Sequence, residues 1–252
     1  MLQIDLNCDL GESYGRYTIG MDEKIIPVVS SVNIACGYHA GDPTVMRRTV
    51  EIAALHGVAI GAHPGFPDLQ GFGRRRMDIP PEDLTNMLVY QIGALQAFVK
   101  SYGLTLNHVK PHGALYNIAA VNRETARAIV RAVRMVDPGV ILVGLAGSIL
   151  MDEGCSSGLN VAGEVFADRT YQADGTLTPR TSPGAFVHDP GEAADRLAEL
   201  ITTGCIKSVD GTPIRVSAET VCVHGDNEKS VQFALAIRKR LESSGVVIKS
   251  MR

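Results

Sequence analysis

Residues 2–9 read LQIDLNCD, in which Leu2, Ile4, Leu6 and Cys8 alternate with Gln3, Asp5, Asn7 and Asp9. A period of two is that of an extended strand, whose successive side chains point to opposite faces. Seven further extended runs follow, at 31–36, 58–62, 105–110, 140–145, 159–166, 220–224 and 246–249. Between them lie helical patterns. The helix over 43–56 opens on Asp42-Pro43, a cap and first-turn pair, and stops at Gly57. Segment 82–102 carries Leu84, Met87, Leu88, Ile92, Leu95 and Phe98 at helical spacing, and 122–136, 190–203 and 227–244 read similarly. Strands alternating with helices imply right-handed crossovers and a parallel sheet. Seven or eight such units, in a chain of 252 residues, favour one closed α/β barrel over 1–252. The loops 64–79 and 167–189 break the rhythm, and 205–218 reads as a hairpin insertion around Asp210-Gly211.

In a parallel barrel both strand faces are normally buried, so strands read as continuous apolar runs. The first strand breaks that rule. Its apolar set should meet the helices, which turns Asp5, Asn7 and Asp9 into the barrel. His108, Lys110 and His112 share a parity, as do Glu164, Phe166 and Asp168, and Cys222, His224 and Asp226. Inward ionisable groups cost several kcal/mol, on the order of a buried unpaired charge, unless paired or liganded. Active sites of such barrels form at the C-terminal strand ends, where these residues fall.

Six constellations result: Asn7, Asp9 and Glu12 in DLNCDLGE; Asn33 and His39 in NIACGYHAGDP; His63 in GAHPGFPD; Lys110 and His112 in HVKPHGALYN; Glu164, Asp168 and Arg169 in EVFADRTY; His224 and Asp226 in VHGDN. Together they point to a small-molecule site. Asp9, His39 and His63 could hold a divalent metal that activates water; alternatively, carboxylates and histidines could act as acid and base without metal. Lys110 and Arg169 could hold a carboxylate or a developing oxyanion. Asp42 reads as a helix cap, His56 and His188 as bystanders, and His108 as a hydrogen-bonded core residue. Arg74-Arg75-Arg76 reads as a solvated run or an anion clamp, and Asp226 as a site member or the cap of the last helix.

The exclusions are as informative. Twenty-four Lys and Arg against 27 Asp and Glu give a net charge of −3, with no basic excess to neutralise nucleic-acid phosphates. No apolar run reaches membrane-spanning length, and the N-terminus lacks the basic segment of a signal peptide. Five Cys without a C-x-x-C pair fit a reducing cytoplasm. There is no G-x-S-x-G elbow, no G-x-x-x-x-G-K-[ST] phosphate loop and no G-x-G-x-x-G after a strand. Only 5% of residues are aromatic and none is Trp, whereas seven are His, which suits a small polar ligand better than a stacking platform.

The motifs DLNCDLGE (5–12), NIACGYHAGDP (33–43), GAHPGFPD with GFGRR (61–75), VKPHGALYN (109–117), EVFADRTY (164–171), LTPR (177–180) and CVHGDN (222–227) together resemble the LamB/YcsF family. They span almost the whole chain in order. The resemblance implies a distorted seven-stranded (β/α) barrel of the glycoside hydrolase/deacetylase type. It further implies a cytoplasmic hydrolase that opens 5-oxo-L-proline to L-glutamate with ATP hydrolysis, together with two partner subunits, B and C. On that reading Asp9 or His63 serves as base or metal ligand, Lys110 and Arg169 hold anions, and His112 and His224 act as acid/base or oxyanion donors. Glu12, His39, Glu164, Asp168 and Asp226 complete the catalytic set, and Asn7, Asn33, Arg74 and Arg180 bind substrate. Two other classes stay open: a self-sufficient metal-dependent deacetylase or amidohydrolase, and a non-catalytic substrate-binding protein of the complex.

Overall fold

The computed structural model describes residues 2–251. Its elements run β1 (Gln3–Leu10), α1 (Asp22–Ile25), β2 (Ser31–Ala35), α2 (Pro43–Leu55), β3 (Ala59–His63), α3 (Pro81–Ser101), β4 (His108–Val109), α4 (Gly113–Val121), α5 (Arg123–Val136), β5 (Ile141–Leu145), α6 (Ile149–Ser156), β6 (Val161–Phe166), α7 (Pro190–Thr203), β7 (Cys205–Lys207), β8 (Pro213–Arg215), β9 (Thr220–Val223), α8 (Glu228–Ser243) and β10 (Val247–Ile248). Among the described residues, β1 to β6 and β9 form seven parallel strands, and the β9–β1 pairing closes them into a barrel. β7 and β8 pair antiparallel as a separate hairpin.

Helix ends follow their capping residues. Asp42 Oδ1 accepts from the Thr44 and Val45 amides at 2.8 and 3.0 Å, and Pro43 follows at the first helical position. Asp189 caps α7 through the Glu192 amide at 2.7 Å. The last helix is capped by Asn227, which accepts from Ser230 N, and not by Asp226; that leaves the Asp226 carboxylate free to line the barrel mouth. β4 is far shorter than the run 105–110, because Pro111 has no N–H to continue the ladder after Lys110 N bonds Ala62 O. Nothing in the sequence pattern marked α4 or α6. α4 (GALYNIAAV) is apolar nearly all round and so shows no helical contrast, and α6 has only eight residues.

The polar parity of β1 does turn inward: Asp5 and Asn7 are 1% exposed. In register, Asp9 stands beside Asn33, Asn33 beside Gly61, and Gly61 beside His108. At the opposite end of the barrel Met251 packs with Ile141, Val143 and Ala162. No helix among the described residues is long and apolar enough to cross a membrane.

Candidate active site

Lys110 stands at the centre of the barrel mouth. Its ammonium lies 2.6 Å from Glu164 Oε1 and 2.9 Å from Asp9 Oδ1, and donates to Asn7 Oδ1 and Cys222 Sγ at 3.3 Å each. Asn33 Nδ2 donates to Asn7 Oδ1 at 2.7 Å and to Asp9 Oδ1 at 2.8 Å. Asn7 Nδ2 in turn donates to Glu164 Oε1 at 3.0 Å and Thr220 Oγ1 at 2.6 Å. A buried cation is tolerated when anions and acceptors surround it. Burial opposes the Lys110 charge, but Asp9, Cys222 and Glu164 outweigh it and hold its pKa well above the ordinary value. Burial likewise opposes the Asp9 charge, yet His63 and Lys110 hold that carboxyl well below the usual range. Lys110 is therefore committed to Asp9 and Glu164. Asn7, Asn33 and Glu164 lie under the cavity with their polar atoms turned on one another, so the two asparagines anchor the site instead of lining it for substrate.

Beside this network Glu12, His39, His63 and His112 each bring one donor atom within 4.8 Å of the others, all four buried. Backbone carbonyls fix two of the rings. His63 Nδ1 lies 2.7 Å from Lys110 O, and His112 Nε2 lies 2.8 Å from Phe72 O. A carbonyl only accepts, so both nitrogens carry hydrogen. His63 Nε2 and His112 Nδ1 face each other at 2.9 Å. Burial and the neighbouring His63 push His112 down to about 3, so that ring is neutral and its Nδ1 is a bare lone pair. Burial, with His112 and His63 beside it, also puts His39 well below its ordinary value. His39 stacks on His112 with centroids 3.6 Å apart, and neither of its buried nitrogens has a hydrogen-bond partner among the described residues. Glu12 Oε1 completes the set, 3.5 Å from His39 Nε2 and 3.8 Å from His112 Nδ1. Three imidazoles and one carboxylate suit a divalent ion such as zinc, and carbonyls behind the ligating rings are the usual supports. The set of Asp9, His39 and His63 expected from the sequence shares two histidines with this cluster. Asp9 Oδ2 reaches to 3.3 Å from His63 Nε2, but its other oxygen is held by Lys110 and Asn33; Glu12 and His112 take the remaining places.

The opposite wall carries a second acid/base pair. His224 Nδ1 lies 2.9 Å from Asp168 Oδ2. Burial lowers the histidine, but Asp168 outweighs it and the His224 pKa is raised; in return His224 overcomes the burial of Asp168 and lowers the carboxyl. Arg169 is 5% exposed and donates to Thr178 O at 2.5 Å. Arg169 and Arg180 sit 5.1 and 5.5 Å from the Phe186 centroid, and Arg74 sits 5.1 Å from that of Phe72. The two walls enclose a cavity of about 270 Å³ into which Asp9, Glu12, His63, Lys110, His112, Arg169, His224, Asp226, Arg74 and Arg180 all project. His39 and Asp168 stand just behind it. A larger groove of about 420 Å³ between the β1–α1 loop and α2 collects none of these groups.

Sequence reasoning missed Tyr116, whose buried hydroxyl lines the same cavity without a hydrogen-bond partner among the described residues, and the covering rings of Phe72 and Phe186. Tyr116 follows His112 by four, the spacing of one helix face. Reading GALYN as a helix would have found it. Of the arginine run, Arg75 pairs with Asp68, and Arg74 alone lines this cavity.

Residues 4–252 match the model of the LamB/YcsF family. The chain is 56% identical over 252 residues to a protein of Geobacillus thermodenitrificans named as the A component of 5-oxoprolinase, covering 100% of this chain and 98% of that one. The crystal structure of a lactam utilization protein from Thermus thermophilus superposes with a TM-score of 0.94 at 48% identity, covering 99% of this chain and 100% of the other. The catalytic domain of a peptidoglycan N-acetylglucosamine deacetylase from Eubacterium rectale shares the fold, with a TM-score of 0.50 at 12% identity over 99% of this chain and 88% of that one. With nearly its full length matched at this level, the chain belongs to the LamB/YcsF family.

Proposed function

We propose that this chain is the A component of a cytoplasmic 5-oxoprolinase, which opens 5-oxo-L-proline to L-glutamate with ATP hydrolysis in a complex with partner subunits B and C. The observation that carries the reading is the full-length identity to proteins named as that component of 5-oxoprolinase. The mouth of the barrel supports it, because a small anionic lactam needs charged groups on two sides of a compact cavity. The five free thiols are in keeping with a reducing compartment.

The reaction breaks the ring C–N bond and forms a C–O bond from water. A lactam amide is a poor electrophile, and transfer of the ATP γ-phosphoryl group to its oxygen would release ADP and give an activated carbon; once the C–N bond has broken, the acyl phosphate that remains takes up a second water and releases glutamate and phosphate. The attacking water must lose a proton, and the ring nitrogen must gain one. Asp9 is the base: Lys110 and Asn33 hold one of its oxygens and leave Oδ2 available. His224, kept protonated by Asp168, is the acid for the departing nitrogen. Arg169, Arg180 and Arg74 hold the substrate carboxylate. Glu12, His39, His63 and His112 would hold a divalent ion, which supplies Lewis acidity and acidifies a bound water.

The test is 5-oxoproline-dependent ATP hydrolysis by the purified chain with and without subunits B and C. Turnover only in the assembled enzyme is expected, and Asp9→Asn should lower kcat by about 10²–10⁴-fold. Wild-type turnover in the Asp9→Asn complex would remove Asp9 from the mechanism. The four-residue metal set favours one other reading, a stand-alone metal-dependent amidohydrolase. Hydrolysis by the zinc-loaded chain alone, without ATP, would establish it in place of the first.

A further inference from the structure

We infer that His108, which does not line the cavity, is a positioning residue: as a neutral ring with hydrogen on Nε2, it sets the orientation of Asn33 and, through it, of Asp9. The inference rests on the proposed role of Asp9. His108 is fully buried, and its Nε2 lies 2.6 Å from Asn33 Oδ1. The orientation of the Asn33 amide is not free. Its Nδ2 faces two oxygens, Asn7 Oδ1 and Asp9 Oδ1, and turning the amide over would set three oxygens together. Asn33 Oδ1 must therefore accept, and His108 Nε2 must donate; the bare Nδ1 then faces Asn107 Oδ1 at 3.0 Å with no hydrogen between them, the less costly mismatch because Asn107 is only half-buried whereas Asn33 is fully buried.

The ladder shows how the ring reaches that far. His108 and Asn33 are not on neighbouring strands; Gly61 of β3 stands between them in register. A Cβ on Gly61 would fall 2.1 Å from His108 Nε2, so the imidazole occupies the place of the missing side chain. Gly61 takes no positive φ among the described residues, and what it supplies is room. Across one rung the line His108–Asn33–Asp9 is thus fixed by sterics at one end and hydrogen bonds along its length. With Lys110 also on Oδ1, Asp9 is left with Oδ2 facing His63.

His108→Leu removes the donor, while His108→Gln keeps an N–H at similar reach. In the reconstituted 5-oxoprolinase, His108→Leu should lower kcat by about 10–100-fold, the usual loss when a support behind a functional group is removed, with KM and the zinc affinity of the chain unchanged; His108→Gln should restore most of kcat. Gly61→Ala, which displaces the ring without deleting it, should lower kcat in the same way. Long-range 1H–15N spectra of histidine-labelled protein should show, beside the Nε2–H ring of His112, a second neutral Nε2–H ring that vanishes in His108→Leu. An Nδ1–H ring in its place, an unchanged kcat, or a parallel loss of zinc affinity would each overturn the inference. The spectra stand apart from activity: if the wild-type complex failed to turn over 5-oxoproline, the proposed function would fall while the tautomer result remained readable.

Discussion

At the scale of single residues, the site divides by which atoms are already committed. Lys110, Asn7, Asn33 and one oxygen of Glu164 satisfy one another, whereas Glu164 Oε2 and both nitrogens of His39 have no hydrogen-bond partner among the described residues, and Glu12 reaches only the histidines, at 3.5 Å or more. Glu12→Gln replaces a charged ligand atom by a neutral one, so zinc affinity measured by titration calorimetry should fall at least tenfold. The second pair sets a pH dependence. His224 has a raised pKa, so its protonated form persists above the ordinary value of 6.5 and is lost as pH climbs through the folded value. Asp168 is lowered, so its stabilising charge is present above 3.8 and lost as pH falls through its own folded value. The ion pair is complete only between these limits. In Asp168→Asn only the weaker pull of Asp226 and Asp9 still opposes the burial of His224, and the alkaline limb of the kcat/KM profile should move to lower pH; an unmoved limb would show that His224 is not the acid. Residue types and parity were legible in the sequence, and Asp9, His224, Arg74, Arg169 and Arg180 do line one cavity. Which carboxylate joins the histidines was not, because it depends on the turn after β1. Gly11 adopts a φ of +68° there, which only glycine takes at no cost, and the chain folds Glu12 back over the rings while Asp9 stays on the strand.

At the scale of elements, strands and capped helices were legible because each carries its own signal: period two in β1, Asp42-Pro43 before α2, Asp189-Pro190 before α7. α4 was not, since an almost uniformly apolar helix is marked by burial from its neighbours and not by periodicity. Its placement is what brings His112 and Tyr116 to the cavity. The loop over 64–79, which broke the alternation in the sequence, proves to be the roof of the histidine cluster: Phe72 O accepts from His112, and Gly73 turns with φ +62°. A Cβ on Gly73 would lie 2.7 Å from His39 Cβ and 2.9 Å from His112 Cδ2. Gly73→Ala therefore carries both a backbone penalty of about 1–2 kcal/mol and a displacement of two ligand rings. Zinc affinity should drop together with Tm in this variant, while Gly175→Ala, a positive-φ glycine distant from any ligand ring, should lower Tm alone. Equal zinc affinity in the two would mean that the loop does not shape the cluster.

At the scale of the whole molecule, the barrel separates a reactive end from a structural one. The run 246–249 reads as an eighth strand in the sequence, yet it stands outside the ring. From Asp5 onward one edge of β1 is taken by β9, so β10 finds partners only at Gln3 and Ile4. Periodicity shows that a segment is extended, but not that its place in a closed ring is already filled. Beyond β10 the chain passes under the barrel. Asn107 Nδ2 donates to Met251 O at 3.2 Å, and the Met251 side chain, 7% exposed, covers Ile141, Val143 and Ala162. This small cluster is the floor beneath the polar interior. Removing a buried Met side chain costs about 2–5 kcal/mol, and a position at the rim, where neighbours can settle, belongs near the lower figure. For a chain of this size a loss of about 2 kcal/mol lowers Tm by roughly 4–8 °C. Met251→Ala should show that drop in a thermal melt. The Lys110 network and the histidine cluster are built from the other end of the strands, so zinc affinity should stay at the wild-type value. If affinity and Tm fell together, floor and mouth would form one cooperative unit, and the separation argued from the strand parity would be wrong.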